Sequence, residues 1–233
     1  MRRFCWIALV LAACGCRPNQ EAPRPAPSAA QAPPPAAPAP PPATPPAPPD
    51  ARPVIVCFGD SLTAGFGLDP GQSFPDLLQA ELDRRGYPYR VANLGVSGDT
   101  SQDGLARLAL AVAEKPAIAL VELGANDGLR GEPVANTENN LARIIEAFQK
   151  AGARVVLAGI TLPPNYGPEY IRQFAAMYPA LAARFKVKRI PFLLDGVAGH
   201  PGLMQRDGLH PNAPGTRIVA ATVFRALQPM LKK

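Results

Sequence analysis

From residue 54 onward the apolar positions fall into two alternating rhythms. Continuous short runs at 54–58, 89–94, 117–123, 154–160 and 190–194 read as buried strands. Between them, apolar residues recur at three- and four-residue spacing, the period of a helix with one face inward. Residues 74–85 place Phe74, Leu77, Leu78 and Leu82 on one face, and residues 102–113 turn Leu105, Leu108 and Val112 inward. Residues 137–151 form a helix stopped by Gly152, residues 168–185 a helix with a break near Pro179, and residues 213–231 a closing helix. Strands alternating with helices of this length predict an α/β fold, a five-stranded parallel sheet covered on both faces.

The pattern is different before residue 53. Of 30 Pro in 233 residues, fifteen lie between Pro18 and Pro49, together with ten Ala. A stretch nearly half Pro supports neither a ladder nor a helix. The expected organisation is therefore a head over residues 1–16, a Pro/Ala arm over 17–52 and a domain over 53–233. The head opens Met1-Arg2-Arg3, continues with ten apolar residues (4–13) and ends Leu11-Ala12-Ala13-Cys14. Ten residues are too few to span a bilayer, which takes about 20, but they fit the core of an export signal. The closing tetrapeptide resembles a bacterial lipobox, which implies lipidation of Cys14; Cys16 is a second candidate, and secretion with full release is the alternative. At about 3.1 Å per residue, a fully extended arm of 36 residues would reach roughly 110 Å. The expectation is an exported protein of the bacterial envelope, lipid-anchored and facing the periplasm, its arm a spacer.

Charge adds little. The chain carries +6, and the domain, with 19 basic and 16 acidic residues, about half of that. Only Lys186, Lys188 and Arg189 cluster, which reads as a solvated face before a strand, so nucleic acid is not an expected partner. Cys57, alone in the domain, reads as a small buried hydrophobe and allows no disulfide there. Two His and one domain Cys supply no convincing metal set, and no phosphate-binding Gly-rich loop with its Lys is present, so neither metal nor cofactor is expected.

Parallel sheets place ligands beyond the carboxyl ends of their strands. Strand one is followed by Gly59-Asp60-Ser61-Leu62, strand two by Gly95-Val96-Ser97-Gly98-Asp99, and strand three by Gly124-Ala125-Asn126-Asp127; late in the chain comes Asp207-Gly208-Leu209-His210-Pro211. Each block alone is an ordinary turn signal. Four in this order are not ordinary, and they resemble the GDSL, or SGNH, hydrolases over essentially the whole domain. The bacterial arylesterase, thioesterase I and lysophospholipase L1 group is the nearest in pattern, through Phe58-Gly-Asp-Ser-Leu-Thr-Ala-Gly65 and Leu162-Pro-Pro-Asn-Tyr-Gly-Pro-Glu-Tyr170 in particular. Ala125 departs from the Gly that group often carries. The resemblance implies a three-layer α/β/α, flavodoxin-like fold and a cofactor-free serine esterase.

The chemistry can be reasoned beside it. Acyl transfer needs a nucleophile, a base, a group that orients the base and donors for the oxyanion. Ser61 is the expected nucleophile. His210 is the expected base, with Asp207 three residues earlier, on the same face of a helical turn, as its orienting carboxylate. His200 has no carboxylate so close after it and reads as a loop residue. The backbone N–H of Ser61, at a helix start, can face the oxyanion; the resemblance adds the N–H of Gly98 and the side-chain amide of Asn126. Ser97 is the rival nucleophile, one residue short of a Gly-x-Ser-x-Gly elbow. Asp60 and Asp127 read as loop caps rather than catalytic groups. The resemblance places the loop after strand four along the acyl cleft, with Leu162 and Tyr166 as substrate contacts; Phe174 and Met177 have core spacing. The expected substrates are aryl esters, thioesters and short to medium acyl esters, lysophospholipids included. A deacetylase of envelope sugars and a non-catalytic envelope lipoprotein remain open as alternatives.

Overall fold

The computed structural model describes residues 50–233; the head and all but the last residues of the arm, with Cys14 and Cys16, lie outside the described residues. Five strands, β1 (Val54–Gly59), β2 (Arg90–Gly95), β3 (Ile118–Glu122), β4 (Arg154–Ala158) and β5 (Lys188–Ile190), pair in parallel in the order β2-β1-β3-β4-β5. That is the flavodoxin-like order, which reverses direction between β1 and β3 and opens a crevice there. β1 and β3 are buried at every position, as a sheet covered on both faces requires.

The helices are α1 (Ser61–Ala64), α2 (Phe74–Arg84), α3 (Ser101–Ala113), α4 (Ala125–Leu129), α5 (Val134–Lys150), α6 (Pro168–Phe185) and α7 (Ala213–Leu227). One face of the sheet is covered by α2 packed on α7, the other by α3, α5 and α6 in a row. This is the expected three-layer α/β/α sandwich. Capping boxes start α2, where Ser73 and Asp76 exchange bonds, and α3, where Thr100 and Asp103 do the same. Asn212 caps α7 through Gly215 N–H. Between the layers, Phe58 meets Phe148 edge to face, and Phe174 meets Tyr178 in the same way. Cys57 is fully buried in β1, as expected of a small hydrophobe.

Three expectations are corrected. The helix over 168–185 does not break at Pro179. The proline ring sits on the exposed face, where water can take the carbonyl that loses its partner, while Phe174, Met177, Tyr178 and Leu181 pin both halves to the core. The last strand runs Lys188–Ile190, not 190–194. Pro191 has no N–H for the ladder and ends it, and the apolar residues after it line a loop instead. In α3, Leu108 is buried with Ser101, Gly104 and Ala111, whereas Leu105 and Val112 only flank the core.

Candidate active site

β1 ends at Gly59, and Asp60 turns the chain into α1, its carboxylate accepting from Leu62 N–H at 3.0 Å. This puts Ser61 first in the helix, with a backbone N–H that no helical carbonyl can take. Across the crevice, His210 is held by Asp207 in an Asx-type turn and not in a helical turn as expected. Oδ1 of Asp207 accepts from the N–H groups of Leu209 (2.9 Å) and His210 (3.0 Å), leaving Oδ2 for His210 Nδ1 at 2.7 Å. The second ring nitrogen, Nε2, lies 2.8 Å from Ser61 Oγ. An acceptor carboxylate at Nδ1 assigns the ring proton there and leaves the Nε2 lone pair facing the serine hydroxyl. Burial acts to raise the Asp207 carboxyl, but the hydrogen bonds from His210 and Leu209 outweigh it and hold the group below the ordinary carboxylate value.

The other strand ends close the site. Gly98 follows β2 with φ of +88°, a left-handed conformation that a side chain would strain. Asn126, in α4 after β3, donates from Nδ2 to Asp99 O at 2.9 Å and reaches Asp60 Oδ2 at 3.3 Å. Ser61, Gly98, Asn126 and His210 therefore line one cavity of about 640 Å³. Its far wall is apolar and comes from the next strand ends: Leu129 closes α4, Ile160 and Leu162 follow β4, Phe192 and Leu194 follow β5, and Met204 precedes the His210 turn.

Leu162 lies on this wall. Tyr166 is not among the lining residues; its hydroxyl donates to Leu129 O at 2.9 Å, so it supports the wall from behind. Phe174 and Met177 are core residues, as their spacing implied. Ser97 lies at the cavity, but both ring nitrogens of His210 are committed to Ser61 and Asp207. His200 is an exposed loop residue. Among the described residues no group of His, Cys, Asp or Glu is placed to hold a metal ion.

Several contributors leave no local signal in the sequence. Arg107, on α3, donates to Gly59 O and Leu94 O, each at 2.9 Å, and pairs with Asp99 at 2.5 Å while stacking on Phe58. It thus ties the loop after β1 to the loop after β2. Asp127 is not the cap of its own loop that its sequence context predicts: its carboxylate crosses to Ser101 N–H (2.8 Å) and Ser101 Oγ of α3 and to Thr137 of α5. Asp60 likewise reaches Asn126 as well as capping α1. Phe66 packs on the His210 ring, 4.7 Å between centroids. The Phe192–Met204 segment carried no sequence signal beyond its apolar residues.

Comparison with known proteins agrees with this fold. Esterase TesA of Pseudomonas aeruginosa is 47% identical over 182 residues, 78% of this chain and 90% of that protein. Thioesterase 1/protease 1/lysophospholipase L1 of Escherichia coli K12 is 41% identical over 182 residues, 78% of this chain and 86% of that protein. A crystal structure of TesA superposes with a TM-score of 0.74 at 47% identity, covering 76% of this chain and 99% of the other. The GDSL-like Lipase/Acylhydrolase family matches residues 57–218, a span that holds the three strand-end blocks and the later block at 207–211, and the chain belongs to that family.

Proposed function

We propose that Ser61 is the nucleophile, His210 its general base and Asp207 the carboxylate that orients the base. The chain is a carboxylic ester hydrolase of its family, and this reading assigns the chemistry to named atoms. The observation that carries it is the hydrogen-bonded line from Ser61 Oγ through His210 to Asp207 beside an apolar cavity. A serine hydroxyl is a weak nucleophile at neutral pH unless a base takes its proton. As Ser61 Oγ bonds to the substrate carbonyl carbon, the proton passes to His210 Nε2 and the carbonyl electron pair moves to oxygen. The oxyanion lies against the N–H groups of Ser61 and Gly98 and the amide of Asn126, where it replaces the longer contact to Asp60. One such donor typically contributes about 10²–10³ in kcat. Collapse breaks the bond to the alcohol or thiol, which leaves with the proton from Nε2. Water then attacks the acyl-enzyme, again losing its proton to Nε2, and the acid departs as Ser61 regains its hydrogen.

The apolar wall supports substrates with short to medium acyl chains or aryl groups, as esters or thioesters, with Leu162 in contact and Tyr166 acting through Leu129. A lysophospholipid, with one acyl chain, fits the same description. An acetylated sugar would need polar partners along that wall, and a binding module would not need the Ser61–His210–Asp207 line. The basic n-region, the apolar run and Leu11-Ala12-Ala13-Cys14 support export and lipidation of Cys14 in the bacterial envelope, the arm holding the 53–233 domain off the membrane on the periplasmic side.

The test is hydrolysis of p-nitrophenyl esters of increasing chain length. We expect medium chains to exceed acetate in kcat/KM, with Ser61→Ala reducing turnover by about 10³-fold or more and Ser97→Ala keeping most of it. Turnover of acetate alone would favour the deacetylase, and an active Ser61→Ala protein would remove the assignment.

A further inference from the structure

Glu122 ends β3 directly opposite Gly59 of β1 and is fully buried beneath the nucleophile turn. A Cβ on residue 59 would fall 2.5 Å from Glu122 Oε2, so the glycine makes room for the carboxyl. All of its hydrogen bonding falls on one oxygen. Oε2 accepts from Asp60 N–H at 3.2 Å and from Thr63 Oγ1 at 2.7 Å. Oε1 has no partner, the one such buried side-chain atom among the described residues. The titratable groups nearest this carboxyl are acidic or neutral: Cys57 and Asp60 from β1 and its turn and Tyr178 from α6, with Asp127 of α4 and His210 beyond Asp60. The cation of this region, Arg107, spends its guanidinium on Gly59 O, Leu94 O and Asp99. A carboxylate here would leave one charged oxygen dry and unpaired next to a second acid, whereas a neutral acid leaves only a polar atom.

We propose that Glu122 is a protonated, neutral positioning residue. It clamps both ends of the turn that presents Ser61, and it leaves the single negative charge of the Glu122–Asp60 pair on Asp60, which holds Asn126. Burial, and then the neighbouring Asp60, push its acid well above the ordinary carboxylate range. Neutrality matters because the oxyanion forms within one turn of this carboxyl, and a second buried negative charge would oppose it. The inference rests on Ser61 as nucleophile for its consequence, but not for its physical test.

That test is the infrared spectrum of the full chain at pH 8, where Asp60 is ionised. Wild type is expected to show a carbonyl band of a protonated carboxyl that Glu122→Gln lacks. In parallel, Glu122→Ala is expected to lower kcat by about tenfold or more with little change in KM, and Glu122→Gln, the isostere of the neutral acid, to restore most of that loss with a pH profile parallel to wild type from pH 7 to 9. Absence of the band, or a Glu122→Gln protein as slow as Glu122→Ala, would overturn the proposal. The band is read on wild type itself, so it decides the matter even if Glu122→Ala does not fold, and Ser61→Ala kinetics separately decide the nucleophile.

Discussion

Burial pushes the Asp60 carboxyl up to about 6, against the hydrogen bond from Leu62 N–H, the adjoining Glu122 side chain and the charge of His210, with Asp127 adding to the rise. The folded protein therefore holds this proton more tightly than the unfolded chain, whose carboxyl titrates near 3.8. The sign follows: the contribution to stability is fully present below about pH 4 and is lost as pH rises to about 6, by about 2–3 kcal/mol as an upper figure. Asn at position 60 cannot titrate, so the melting temperature of Asp60→Asn relative to wild type is expected to rise across that window and level off above it. Comparing the two cancels Asp207, whose lowered value acts in the opposite sense, stabilising above the unfolded value and fading in acid. A difference in melting temperature independent of pH would contradict the account. At this scale Ser61 and Asn126 were legible because each sits in a short polar block that ends an apolar strand, and Asp207 and His210 because they share one short block late in the chain. Asp207 and His210 meet as expected but through a different local geometry, since three-residue spacing serves an Asx turn as well as a helix. Glu122 had left a signal, an acid inside the apolar run 117–123, but strand periodicity says nothing of a partnerless oxygen.

Each pair of the loops after β1, β2 and β3, which the proposed mechanism uses for the oxyanion, is tied by ionisable side chains from adjoining elements. Arg107 of α3 ties the ends of β1 and β2, Asp127 of α4 ties the end of β3 to the start of α3, and Asp60 ties α1 to Asn126 of α4. The donors are held before substrate arrives, which is what preorganisation requires. Lys at position 107 keeps the charge but cannot fork to three acceptors. Arg107→Lys is expected to lower kcat by about tenfold to a hundredfold with a smaller change in KM, because loop misplacement of about 1 Å can cost that much. Unchanged kcat would show that the loops hold without it. Helix and strand order were legible because burial imposes the two periods so cleanly on β1, β3 and α5. The errors fell where one residue overrides the period: Pro191 cuts β5 short, while Pro179 lies on the solvent face of a helix too well anchored to break. Such cross-loop ties are long-range in sequence, with Arg107 and Gly59 48 residues apart, and no local pattern announces them.

At the scale of the molecule, an apolar-walled cavity joins a polar edge, contributed by the ends of β1, β2 and β3 and the His210 loop, to walls that follow β4 and β5. Sequence alone placed the polar edge and only one residue of the wall, Leu162, because four polar blocks in this order form a pattern while apolar loop residues resemble core. The proposed division into head, arm and domain rests on composition, and it has its own consequence. Cys14→Ser is expected to lose incorporation of a labelled fatty acid and to leave ester hydrolysis by the domain intact; labelling that persists in Cys14→Ser would move the anchor to Cys16. The central claim is that the acyl group passes through Ser61. It is tested most directly by reacting the protein with an alkyl fluorophosphonate, in which Ser61 Oγ would displace fluoride from phosphorus, and mapping the adduct by peptide mass spectrometry. The account predicts one adduct per chain, on Ser61, absent from His210→Ala; an adduct on Ser97, or a fully active enzyme that carries none, would contradict it.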